Sequence, residues 1–198
     1  MKYVYKIISA LLFLAVIPVY IFAPMFTFAA KSVALQAISG SEYIADSLSF
    51  AGIFKYIDDL AAIAGNLSDG SGTYSFLLTK LIVICVFAAL AMLTAVVGAV
   101  LVIVCKKKFP ACCAAVMGIT FTVFFTIAFG NFAQPFLDGA ITLSSLANTW
   151  WVSFIASIEL LFIDTPVYYI YVLFAAVLVW TAAFILTEPK KEEAVKKA

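Results

Sequence analysis

The chain of 198 residues contains no histidine and no arginine, and charged residues make up only 12% of it. Without histidine there is no imidazole for acid–base catalysis or for metal ligation. With a net charge of +1 and its twelve lysines spread along the chain, no basic docking face for nucleic acid forms. Cysteine is scarce as well. Cys85, Cys105, Cys112 and Cys113 are the four present, and Cys112-Cys113 is an adjacent pair rather than the C-x-x-C of thiol–disulfide exchange. What the chain does have is apolar residues, 66% of the total, with a mean hydropathy of +1.15. A soluble domain carries about 45–50% apolar and about 25% charged residues. So little polar surface cannot cover this chain in water, and the sequence reads as an integral membrane protein.

A hydrocarbon core about 30 Å thick takes about 20 apolar residues of helix. Four charge-free stretches meet that length: Ile7–Ala30, Leu81–Cys105, Phe109–Leu137 and Thr165–Thr187. They are continuous apolar runs without the alternation of barrel strands, so helices are the spanning form that satisfies their backbone. The expected fold is an all-α, four-helix transmembrane bundle, a single membrane domain over 1–198. Its spans lie at about 7–30, 79–105, 109–133 and 165–187, and its outer segments at about 31–78 and 134–164. A fifth stretch, Trp150–Ile163, is shorter than a normal span and reads as interfacial or re-entrant, with a full span or an outer-domain helix as alternatives.

Lysine distribution sets the expected orientation. Nine lysines, at 2, 6, 106–108, 190, 191, 196 and 197, fall on one face with three glutamates. The other face holds Lys31, Lys55 and Lys80 against eight carboxylates. Both termini are therefore expected in the cytoplasm of a multi-pass cell-membrane protein, and an even number of spans agrees. The first span starts like a signal peptide, but its apolar run exceeds a signal h-region and Phe28 stands where cleavage wants a small residue. Pro18 and Pro24 should bend or break its outer half, as a packing kink or as a site lined by freed carbonyls.

Within the first outer segment, Ser39 and Glu42 match a capping box. Ile44, Leu48, Phe54, Ile57 and Leu60 follow at helical spacing, which predicts an amphipathic helix over about 40–64 ended by Gly65-Asn66. Together with Trp150 and Trp151, that apolar stripe is the expected outer docking surface. Asp69–Thr73 reads as a flexible return to span 2, and Asn66-Leu67-Ser68 fits the N-glycosylation triplet. The outer segments hold no cysteine, which excludes a disulfide scaffold there. The cysteines read as small buried hydrophobes, with palmitoylation beside the Lys106–Lys108 turn as the alternative.

No acidic or basic residue lies in the middle of any span, which argues against proton coupling and intramembrane catalysis. No catalytic constellation, cofactor or metal site is expected. Packing supplies the clearest signal. Ala91, Ala95 and Ala99 on span 2, and Ala114, Gly118, Thr122, Thr126 and Gly130 on span 3, recur every four residues. Such small-residue stripes let helix backbones approach closely, so spans 2 and 3 should form a tight hairpin. Phe121, Phe125 and Phe129 form a ladder beside the second stripe, and Trp150, Trp151, Tyr168, Tyr169 and Tyr171 read as an outer aromatic belt.

In outline, with four spans, both termini inside and a larger first outer segment, the chain resembles claudin-like and connexin-like proteins. The outer W…C…C pattern of the first and the outer cysteine triplets of the second are both absent, so no functional residue transfers. The expected function is non-enzymatic: a scaffold, assembly partner or accessory subunit acting by helix association and outer-face docking. Its partners would be the lipid bilayer, a second copy, or a membrane or extracellular protein. A cation-preferring homo-oligomeric channel lined by Thr120, Thr122 and Thr126, or by Ser153 and Ser157, is the alternative. A carrier of an uncharged or lipidic substrate at the Pro18/Pro24 break is the third.

Overall fold

A computed structural model describes residues 2–32, 43–52, 72–140, 156–163 and 166–187. Four long helices account for most of them: α1 (Lys2–Phe22), α2 (Gly72–Val104), α3 (Phe109–Leu137) and α4 (Pro166–Thr187). Each contains a stretch long and apolar enough to cross a membrane: Tyr3–Phe22, Phe76–Val104, Phe109–Leu137 and Val167–Leu186. Much of their surface is apolar and faces outward. Leu186 (85% exposed), Val179 (70%) and Ile7 (59%) are examples. Lipid is the solvent that suits such surfaces, and four helices of this length and composition suggest a multi-pass membrane protein.

The helices run alternately up and down, with α2 and α3 sharing the most extensive interface. Their turn is short: Pro110 opens α3, where its missing N–H costs nothing. Lys6 Nζ donates to the Ile103 carbonyl at 2.6 Å, and Lys108 Nζ stands 4.3 Å over the Phe184 ring. The start of α1, the α2–α3 turn and the end of α4 therefore share one end of the bundle, here called the basic end. At the other end α3 stops at Asp138, and Gly139 follows with φ +68°. That left-handed residue suits glycine and closes the helix.

The first apolar run is not one long helix. The α1 helix passes through Pro18 and ends at Phe22, and Pro24 opens strand β1 (Pro24–Ser32). The break expected from the prolines thus falls at residues 23–24, and the last third of the predicted span is extended chain. Strand β1 pairs antiparallel with β2 (Tyr43–Ser49) on one edge and β3 (Ala156–Ile163) on the other. The register matches Phe28 with Asp46 and with Leu161.

This sheet corrects two expectations for the outer segments. The predicted amphipathic helix over 40–64 is a strand from Tyr43 to Ser49. Helix begins only at Phe50, where Ser49 Oγ accepts the Gly52 N–H at 3.2 Å and acts as the cap. The Trp150–Ile163 segment, for which a full span or an outer-domain helix is an alternative, is neither from Ala156 onward, where it is a paired strand. Phe54, Ile57, Leu60, Ser39, Glu42, Ser153, Trp150 and Trp151 lie outside the described residues.

Helix lengths explain where the sheet sits. With 1.5 Å of rise per residue, α2 is about 50 Å long and α1 about 32 Å. Contacts at the basic end hold the helices level there, so the surplus of α2 and α3 projects at the other end. There α1 continues into β1, and β3 leads into α4. The neighbouring helices α1 and α4 thereby become neighbouring strands, and β3 packs beside α3.

Candidate functional site

The centre of the bundle is built from two rings on two glycines. Phe13 of α1 and Phe174 of α4 are fully buried and meet edge to face, 6.1 Å between centroids. A Cβ on Gly98 of α2 would lie 2.6 Å from the Phe13 ring, and one on Gly118 of α3 would clash with the Phe174 ring. The small residues of the α2–α3 hairpin therefore do more than bring two backbones together. They leave seats for aromatic rings from the other two helices, and those rings supply the dispersion contacts that hold helices together where lipid is as apolar as the core.

The stripe residues divide accordingly. Ala91, Ala95, Ala99, Ala114, Gly118 and Thr122 are buried. Thr126 is half-buried, and Gly130 is exposed, with nothing within 4 Å of where its Cβ would stand. Gly130 therefore lies off the packed face of α3, since Phe129 and Ala133 on either side of it are buried. In the phenylalanine ladder, Phe125 and Phe129 belong to the core while Phe121 is half-buried. Tyr20 and Phe125 meet edge to face at 5.7 Å.

Buried hydroxyls pair between helices. Tyr20 Oη donates to Thr122 Oγ1 at 3.1 Å, and Thr122 Oγ1 donates to the Gly118 carbonyl at 2.8 Å. Thr126 Oγ1 lies 2.8 Å from Tyr171 Oη while also donating to the Thr122 carbonyl. Tyr5 Oη and Thr181 Oγ1 lie 3.0 Å apart. These contacts tie α1 to α3, α3 to α4 and α1 to α4. Thr122 and Thr126, expected to line a helix interface or a pore, are thus engaged inside the bundle of a single chain. Thr120 is exposed and bonds its own helix at the Val116 carbonyl. The tyrosine partners Tyr5, Tyr20 and Tyr171 escape a sequence reading because only tertiary pairing separates them from interfacial tyrosines.

Among the described residues, the buried polar side chains are Ser9, Thr94, Thr122 and Thr181, with no charge among them. Among the same described residues, Ser9 Oγ and Trp180 Nε1 are the buried polar atoms left without a partner. No group of three or more cysteine or carboxylate side chains among the described residues could hold a metal ion. Pro18 is exposed on α1, and Pro24 opens β1; neither faces a described cavity.

Among the described residues, two further features bear on the expected docking. One is an apolar groove of about 540 Å³ between α2 and α3, lined by residues such as Leu93, Val97, Met117 and Phe121. The other is the sheet, in which Ile44 and Leu48 of the expected docking stripe occupy β2, opposite Ala30 and Phe26. Lys80, half-buried, has its ammonium 5.0 Å from the Phe76 ring centroid. Asn131 and Gln134 are exposed near the end of α3, where Gln134 Nε2 donates to Asp138 Oδ1. Comparison of the chain with family models, with curated proteins and with solved structures returns no match.

Proposed function

We propose that this protein is a non-enzymatic membrane scaffold, an assembly partner or accessory subunit that works through its outward surfaces. Cytoplasmic termini and docking at the sheet-bearing end belong to the same reading. The observation that carries it is the state of the bundle interior. Its rings are seated on glycines, and its tyrosine and threonine hydroxyls are consumed in pairs with one another. An interior so occupied offers a substrate little polar purchase. What is left to do work is the lipid-facing groove between α2 and α3 and the strands beyond the bundle. A homo-oligomeric pore lined by Thr122 would need that residue turned outward, at the cost of its bonds to Tyr20 and Gly118.

Native mass spectrometry of the detergent-extracted protein, combined with planar-bilayer recording, tests this reading. The expected result is a defined assembly, with itself or with a membrane partner, and no conductance. A strictly monomeric species without partners overturns the scaffold, and ion-selective conductance replaces it with a channel.

A further inference from the structure

At the basic end the helix termini enclose an open cleft of about 490 Å³ whose lining, among the described residues, includes Lys6, Lys106, Lys107 and Lys108 and no carboxylate. Four cations in one concavity are unexpected in a chain whose net charge is +1. Each has a distinct setting. Lys6 holds the Ile103 carbonyl at the end of α2, where a cation suits the negative end of the helix dipole. Lys108 is half-buried, its ammonium set against the rings of Phe184 and Tyr5. Lys106 and Lys107 are exposed. The first turn of α3 adds the positive end of its own dipole, since Lys108 stands at its N-cap without a side-chain cap and Ala111 lines the cleft.

We infer that this cleft binds the phosphate of an acidic phospholipid headgroup, with Lys106 and Lys107 as its principal contacts and Lys6 and Lys108 fixing the walls. Position argues for lipid as the source. The cleft opens where four apolar helices end together, so a phosphate held there sits at headgroup depth while its acyl chains lie along the exposed apolar faces below. Basic pockets between the ends of spanning helices have this character in general. Apolar surface within the lining, from Val102, Ala111 and Phe184, suits the glycerol and upper acyl carbons. The inference rests on reading the four helices as spans, and not on the scaffold proposal.

The test titrates the purified full-length protein in neutral detergent with phosphatidylglycerol, with phosphatidylcholine of the same acyl chains, and with inorganic phosphate, reading bound lipid by native mass spectrometry. Phosphatidylglycerol is expected to bind in preference to phosphatidylcholine. Each of Lys106→Gln and Lys107→Gln should weaken it about fivefold, the electrostatic worth of one lysine near a lipid surface. Arginine at both positions should preserve the preference, and Lys80→Gln, remote from the basic end, should leave it unchanged. Millimolar inorganic phosphate should not displace the lipid; displacement would assign the cleft to free phosphate and overturn the lipid claim. Equal binding of both lipids, or a double glutamine variant that keeps its preference, overturns the site itself.

Discussion

Replacing Gly118 with alanine tests whether the ring seats hold the bundle together. The added Cβ would stand 2.8 Å from Phe174 Cδ1, with two further ring carbons nearer still. Carbon atoms prefer about 3.5–4.0 Å, so the ring must retreat by about 1 Å. It has nowhere to go, because Phe174 is fully buried and its edge abuts Phe13. Overpacking of this kind costs about 1–3 kcal/mol, against a gain of about 0.5–1 kcal/mol for removing a glycine from a helix. The net expectation is a loss of about 1–2 kcal/mol, measured by equilibrium unfolding in mixed micelles. Phe174→Leu should relieve most of that penalty, giving a coupling of about 1–2 kcal/mol between the two positions. Gly130→Ala supplies the control: with open space at its Cβ, it should gain about 0.5–1 kcal/mol. If Gly118→Ala proves as stable as the parent, or if Phe174→Leu fails to relieve it, the seats are not what holds α4 to α3.

Two further outcomes follow from the fold. Cysteines placed at positions 28 and 161, Cα partners in β1 and β3, should close a disulfide on mild oxidation, since paired antiparallel residues lie about 4.5–5.5 Å apart at Cα. Failure to form this bond, scored by mobility on non-reducing gels, would remove the sheet register. Thr122→Val strips Tyr20 Oη of its acceptor and should cost about 1–2 kcal/mol, whereas Tyr20→Phe, which leaves Thr122 bonded to the Gly118 carbonyl, should cost about 0.6 kcal/mol. Equal losses in thermal unfolding would show that the hydroxyl pair does not act as described.

Hydropathy alone reveals the four long helices, because a lipid core would impose one requirement on all of them: length without charge. It also locates the α2–α3 hairpin, since alanine and glycine every four residues form a continuous stripe only on a helix. Where lipid stops imposing that rule, the reading fails. Nothing in hydropathy separates Phe22 from Phe26, and the strand at Pro24 depends on partners 124 to 137 residues away in β3. The outer helix fails for a geometric reason. Ile44 and Leu48, four apart, share a helix face, but four is also an even number, so they share a strand face equally well. Pairing with β1 decides between the two, and pairing is invisible in a local window. Likewise the stripe announces that something packs on Gly118 without saying that the visitor is Phe174.

The passage of α1 into β1 across Ala23 alone has a mechanical consequence. A pull on the sheet is delivered straight down α1 and, with β3 ending at Ile163 and α4 starting at Pro166, reaches α4 as well. The load crosses to the α2–α3 hairpin where the rings of Phe13 and Phe174 are lodged, so those two rings act as the shear pins of the molecule.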